Sequence, residues 1–239
     1  MARLPHLRQI IDPVAYSGCW NMAVDEVLLQ SAIDDGIATL RWYTWREPTV
    51  SLGYFQREEE VLGDARLGKL PRVRRLSGGG TLVHDHELTY SLTLPASQRV
   101  IERPIELYRQ VHQSFVDLFR RRGVELTLRG STVKRTAEPL LCFAREDEHD
   151  LMCKDHKVLG SAQRRRRGAI LQHGGLLLRA SSITPELVGI GDLCPETDFS
   201  SLAPDLGEAI LRTIADVGKD ESLTPKETEM ASRRVGDQL

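Results

Sequence analysis

The chain is 239 residues long, with 41% hydrophobic and 28% charged residues and a formal net charge of −2. That length buries a substantial core, as one large domain or one domain with a short appendage. The near-balanced charge excludes a global pull toward nucleic acid or acidic membranes, and no apolar run reaches the length of a membrane span. The N-terminus lacks the apolar stretch of a secretory signal, and Cys19, Cys142, Cys153 and Cys194 form no disulfide-scaffold pattern. A cytoplasmic protein with free thiols is expected.

Taken in chain order, Asn21 is expected to cap a helix running to about Asp34. Residues 38 to 56 read as two strands around Trp45-Arg46-Glu47-Pro48. Leu88 to Leu94 alternates apolar and hydroxyl residues, which predicts a strand with one buried and one wet face. Pro104 opens an amphipathic helix carrying Tyr108, Val111, Phe115, Leu118 and Phe119 on one face, and Gly123 stops it. Val124, Leu126 and Leu128 alternate as a further strand. Residues 129 to 156 are polar and turn-rich, with an acidic cluster from Glu146 to Asp150, and are read as one long loop. Residues 157–163 and 168–179 are expected to form a hairpin with the arginine run Arg164 to Arg167 at its tip. Short helices follow Pro185, the last opened by a capping box of Thr224 and Glu227. Short strands and helices that interleave, with an antiparallel hairpin, argue for an α+β fold over a doubly wound parallel sheet. Residues 1–215 are read as a single catalytic domain and 216–239 as a C-terminal helical appendage.

Two glycine-rich segments carry the chemistry. The first is Arg75-Leu76-Ser77-Gly78-Gly79-Gly80, followed by His84-Asp85; the second is Lys157-Val158-Leu159-Gly160-Ser161-Ala162-Gln163, continued by Gln172-His173-Gly174-Gly175. A glycine triplet lets backbone lie directly against a ligand, although a tight strand connection would use it equally well. Its spacing matches neither a P-loop nor a dinucleotide fingerprint. Lys157 sets one mobile positive charge beside a Gly-Ser turn, the place for a polar head group. The pairs His84/His86 and Cys153/His156 complete no zinc set, so no metal is expected. Arg164 to Arg167 is either a solvated hairpin tip or a docking patch for an acidic protein. No aromatic residue interleaves with these arginines, which disfavours nucleic acid.

In this order and spelling, together with Asn21-Met22-Ala23-Val24-Asp25-Glu26, Pro48 to Gln56 and Glu87-Leu88-Thr89-Tyr90, the motifs resemble the lipoate/octanoate protein ligase–transferase family, over about residues 14 to 215. The resemblance implies a mixed, largely antiparallel sheet flanked by helices, like the catalytic domain of biotin and lipoate protein ligases. It also implies attachment of a medium-chain acyl group to a carrier-domain lysine. Arg75, Ser77, Gly78, Gly79, Gly80, His84, Gly160, Ser161, Ala162, His173 and Gly174 would then bind substrate, with His173 as a lining residue or a base for the amine. Lys157 would hydrogen-bond the acyl carbonyl oxygen.

Cys142, in Leu140-Leu141-Cys142-Phe143, matches the active-site cysteine of the octanoyltransferase branch, where a thiolate takes the acyl group. Cys153 lies closer to Lys157 in sequence but matches no family nucleophile. The implied donor is acyl carrier protein, and the implied acceptors are lipoyl domains of 2-oxoacid dehydrogenases or the glycine cleavage H protein. Neither nucleic acid nor a membrane is implied as a partner, and the transferase reading requires no cofactor. An ATP- and Mg-dependent lipoate–protein ligase is the alternative, and a non-catalytic acyl- or carrier-binding module is a third.

Overall fold

The computed structural model describes residues 3–96, 104–130, 141, 143 and 147–236. The chain begins with β1 (Leu4–Ile11), α1 (Gly18–Asp34), β2 (Thr39–Tyr43) and β3 (Thr49–Leu52). It continues through α2 (Glu59–Leu62), β4 (Arg72–Arg74), β5 (Leu82–His84), β6 (Glu87–Leu94) and α3 (Pro104–Arg121). Then come β7 (Leu126–Leu128), β8 (Leu151–Cys153), β9 (His156–Arg166) and β10 (Ala169–Leu177). The last elements are α4 (Ile190–Leu193), α5 (Leu202–Ile214), β11 (Ala215–Asp220) and α6 (Pro225–Gly236).

Eight strands form one sheet in the order β11-β1-β2-β6-β10-β9-β8-β7, and three form a small sheet, β4-β3-β5. In the large sheet β1 is parallel to β11 and β2, and every other neighbouring pair is antiparallel. This is the mixed, largely antiparallel α+β architecture expected from the sequence. The two strands read around Trp45 are β2 and β3, which fall in different sheets. The β9–β10 hairpin is present with Arg167-Gly168 at its tip, both at positive φ (49° and 81°), while Arg164 to Arg166 belong to β9.

Several expectations need correction. Ser17, not Asn21, caps α1, accepting from the Trp20 amide. Asn21 is buried inside the helix, and its amide donates to the Thr44 carbonyl. Strand β6 has no wet face: all eight residues are buried. Leu92 and Leu94 join the core formed with Val111 and Phe115 of α3, while α1 packs on the other side of the sheet. Two hydroxyls there find protein partners: Thr89 accepts from the Trp45 indole at 2.8 Å, and Thr93 donates to the Thr39 carbonyl at 3.5 Å. The long loop ends early, because Leu151–Cys153 is a buried strand between β7 and β9.

The segment after residue 215 also begins with a strand, β11, at the edge of the large sheet, before the expected helix α6 packs on α1. The capping box is present: Thr224 Oγ1 accepts from the Glu227 amide and Glu227 Oε2 from the Thr224 amide. Glu227 also forms a buried ion pair with Arg8 at 2.7 Å, which ties α6 to β1. No helix among the described residues is long and apolar enough to cross a membrane.

Candidate active site

Strand β9 positions Lys157 at its start and Gly160 three residues on. The side chain folds back over Gly160, where a Cβ would stand 2.8 Å from Lys157 Cε. The ammonium then lies 2.9 Å from Asp150 Oδ2, just before β8, with both side chains buried. Burial pushes the Asp150 carboxyl above its ordinary pKa, and the Lys157 charge opposes that shift. The Phe143 ring centre lies 5.1 Å from Lys157 Nζ, in the range of a cation–π contact. Leu141, two residues earlier, forms a bridge with Thr81 next to the glycine triplet. Cys142 lies outside the described residues.

The glycine triplet itself is braced from behind. Arg75 donates to the carbonyls of Ser51 (2.9 Å), Gly78 (2.9 Å) and Gly80 (2.6 Å), so its guanidinium shapes the loop as well as lining the pocket. The close approach that requires glycine here is between loops: a Cβ on Gly53 would stand 2.1 Å from the Gly79 carbonyl oxygen. Ser77 Oγ contacts His173 Nε2 at 2.5 Å, and His173 Nδ1 faces Asp25 Oδ2 at 3.4 Å. Burial pushes the Asp25 carboxyl up, but the hydrogen bond from His173 and the Arg41 charge outweigh it and hold the group below its ordinary range. The Ser–His–Asp row resembles a hydrolase triad in its partners. Ser77 is fully buried and does not line the pocket, so it fastens the loop to β10 through His173.

His84 is held on every side. Its ring stacks on Trp45 at 3.8 Å, Nδ1 meets Glu87 Oε1 at 2.9 Å, and Nε2 meets Ser51 Oγ at 2.7 Å. On β9, Ser161 Oγ lies 2.8 Å from both Tyr90 Oη and His112 Nε2. His112 Nδ1 lies 2.6 Å from the His149 carbonyl, which fixes Nδ1 as the protonated nitrogen and Nε2 as an acceptor for the serine proton. Gly174 makes room for this arrangement, since a Cβ there would stand 2.2 Å from Ser161 Oγ.

These groups surround a cavity of about 240 Å³. Of the residues expected from the sequence, Arg75, His84, Lys157, Gly160, Ser161, Ala162, His173 and Gly174 line it, whereas Ser77, Gly78, Gly79 and Gly80 stand behind its wall. Met22, Tyr43, Trp45, Leu82 and Phe143 supply apolar lining. An apolar cavity of about 150 Å³ holds a benzene ring, so this one is large enough for an eight-carbon chain.

Sequence reasoning missed Asp150, Asp25 and His112. Asp25 sits in a quoted motif and was legible as a buried acid on a helix, whereas Asp150 was lost in an acidic run assigned to loop. Cys153 lies elsewhere, lining a second cleft with its sulfur 4.0 Å from Cys194, and burial pushes its thiol up to about 11. Among the described residues no three His, Cys, Asp or Glu side chains gather as metal ligands.

The site is thus a mainly apolar pocket of an α+β domain, with the buried Lys157–Asp150 pair at its head and the glycine triplet behind its wall. The chain belongs to the lipoyl protein ligase A/B catalytic domain family, whose model matches residues 17–188. It is 35% identical over 177 residues to the octanoyltransferase LipM of Clostridioides difficile, over 71% of this chain and 65% of that protein. The chain therefore spans less than two thirds of that relative. In fold it resembles a lipoate-protein ligase A bound with ATP (TM-score 0.76, 21% identity, 98% of this chain and 94% of that one). It also resembles the bi-partite lipoate protein ligase of Thermoplasma acidophilum, solved in a study with its E2 lipoyl domain (TM-score 0.69, 19% identity, 98% and 93%).

Proposed function

We propose that the protein is an octanoyltransferase of protein lipoylation, acting in the cytoplasm. The observation that carries this reading is the buried Lys157–Asp150 pair beside Phe143, at the head of an apolar cavity of chain-like size. Burying about seven methyl and methylene groups at about 0.8 kcal/mol each contributes roughly 5–6 kcal/mol to holding an octanoyl chain. The likeness to the octanoyltransferase LipM supports the same reaction.

In the proposed reaction the Cys142 thiolate attacks the thioester carbonyl of octanoyl-acyl carrier protein. A new carbon–sulfur bond forms, and the carrier thiolate leaves. Lys157 donates a hydrogen bond to the carbonyl oxygen as its negative charge develops. A lysine ε-amine of a lipoyl domain or of the glycine cleavage H protein then attacks the enzyme thioester. The amide forms, the amine loses a proton, and the Cys142 thiolate leaves. His173 lines the pocket, with Nδ1 facing Asp25 and Nε2 against Ser77 Oγ, and is the base assigned to that proton in this reading. Support for Cys142 comes from its neighbours in the chain, Leu141 bridged to Thr81 and Phe143 beside Lys157.

Thioester to amide is downhill, so this route uses neither ATP nor Mg. The described pocket is also a poor match for a triphosphate. Its cations are Arg75, engaged by loop carbonyls, and Lys157, paired with Asp150, while Asp147 adds a second carboxylate. The ATP-dependent ligase remains the second reading because a ligase bound with ATP shares the fold. Incubation with octanoyl-acyl carrier protein and a lipoyl domain, without ATP, tests the choice. Octanoylation of the domain supports the transferase, and acylation only with free acid and ATP overturns it.

A further inference from the structure

The turn that follows β3 displays an aromatic residue in a way that burial does not explain. Phe55 is 81% exposed and Tyr54 41% exposed, yet the turn carrying them is rigidly held. The Tyr54 amide donates to the Ser77 carbonyl, the Gln56 amide to the Gly53 carbonyl, and the Gly53 amide to Gln56 Oε1. Arg74 Nη1 clamps the turn from beneath, donating to the Gly53 and Gln56 carbonyls. The tip therefore presents Phe55 to water in a fixed position, on a turn packed against the glycine loop that backs the pocket wall.

Positive charge collects around it. Arg164 lies over the Tyr54 ring at 4.5 Å, and Arg167 is exposed at the tip of the same hairpin. Arg74, Arg164 and Arg167 form no ion pair with any carboxylate among the described residues. By contrast, nearby Arg57, Arg72 and Arg166 are paired with Glu60, Glu58 and Glu26. Side chains two apart in a strand share a face, so Gly160, Ala162 and Arg164 lead along β9 from the pocket to this patch, about 13 Å from Gly160 to Arg164. A rigidly held exposed aromatic beside arginines is the composition of an interface centre.

We propose that Tyr54, Phe55, Arg74, Arg164 and Arg167 form the docking surface for the acceptor, a protein domain that presents its lysine beside carboxylates and an apolar residue. This rests on the acyl-transfer reading for the site it serves. Unpaired guanidinium groups seek carboxylates, Phe55 seeks an apolar spot, and the path along β9 leads an incoming lysine to Lys157. Such a surface speeds encounter and weakens as salt screens it.

The test compares Phe55→Ala and the double variant Arg164→Glu/Arg167→Glu with the unaltered protein, each checked by circular dichroism. Octanoyl transfer is measured to an intact lipoyl domain and to a short lysine peptide, and binding of the intact domain is titrated at low and high salt. The expected result is a rise of about tenfold in KM and Kd for the intact domain, with peptide transfer unchanged and a weaker salt dependence in the double variant. Unchanged Kd for the domain, equal losses on domain and peptide, or tighter binding of a single-stranded oligonucleotide than of the domain overturns the proposal. Absence of transfer to any acceptor, with domain binding still dependent on these residues, would count against the acyl-transfer reading alone.

Discussion

Gly160 lies directly beneath Lys157: a Cβ there would stand 2.8 Å from the lysine Cε and 3.1 Å from Nζ. The ammonium reaches Asp150 across the bare backbone of its own strand. The obstructed atoms are the far end of a flexible side chain, so Gly160→Ala is expected to fold and to displace the lysine. Octanoyl transfer should fall by about a hundred- to a thousandfold, as for loss of one preorganised donor, with little change in the melting temperature.

Gly53→Ala is the contrasting case. Its Cβ would meet the Gly79 carbonyl oxygen at 2.1 Å, and backbone cannot swing aside. The variant should lose about 1–3 kcal/mol of stability through overpacking as well as transfer activity. Urea denaturation of the two glycine variants side by side checks the difference.

Much of the fold was legible where one local signal was strong. The amphipathic run from Pro104 to Gly123 became α3, Thr224 and Glu227 made their capping box, and the hairpin formed around Arg167-Gly168. Partners distant in sequence were not legible. Thr89, Ser91 and Thr93 read as a wet face because nothing local shows that α1 will cover them. Strands β1 and β11 went unread: β1 mixes Pro5, His6, Arg8 and Gln9 with its apolar residues, and β11 is largely exposed. At the site, glycine and lysine spelling pointed to the pocket, whereas Asp150 and His112 act through contacts that only the folded chain creates.

Arg41 is another buried cation, with Asp12 at 2.6 Å and Asp25 at 3.0 Å, and its guanidinium is wholly inaccessible. Arg41→Met would leave two buried carboxylates without their counter-charge, and Asp25 is the group that orients His173. The expected cost is about 3–5 kcal/mol, read as a lower urea midpoint with an unchanged denaturant slope.

His112 makes stability depend on pH. Burial lowers its pKa from 6.5 to about 4, opposed by the hydrogen bond to the His149 carbonyl and reinforced by the nearby His149 ring; the Asp147 charge raises it and the Lys157 charge lowers it. The unfolded chain binds the proton first, so stability is lost as pH falls from about 6.5 toward 4. The loss amounts to about 3 kcal/mol for a shift of this size. Unfolding free energies at pH 7 and pH 4.5 should differ by less in His112→Gln than in the unaltered protein; equal differences would show that another group titrates.

The central claim is a covalent octanoyl-enzyme, and intact-mass spectrometry with peptide mapping tests it most directly. The protein is mixed with octanoyl-acyl carrier protein in the absence of ATP. The account predicts an octanoyl adduct on Cys142 that disappears when a lipoyl domain is added, and no adduct on Cys142→Ala. A lipoyl domain octanoylated at full rate by Cys142→Ala, or acylation that requires free acid and ATP, would contradict it.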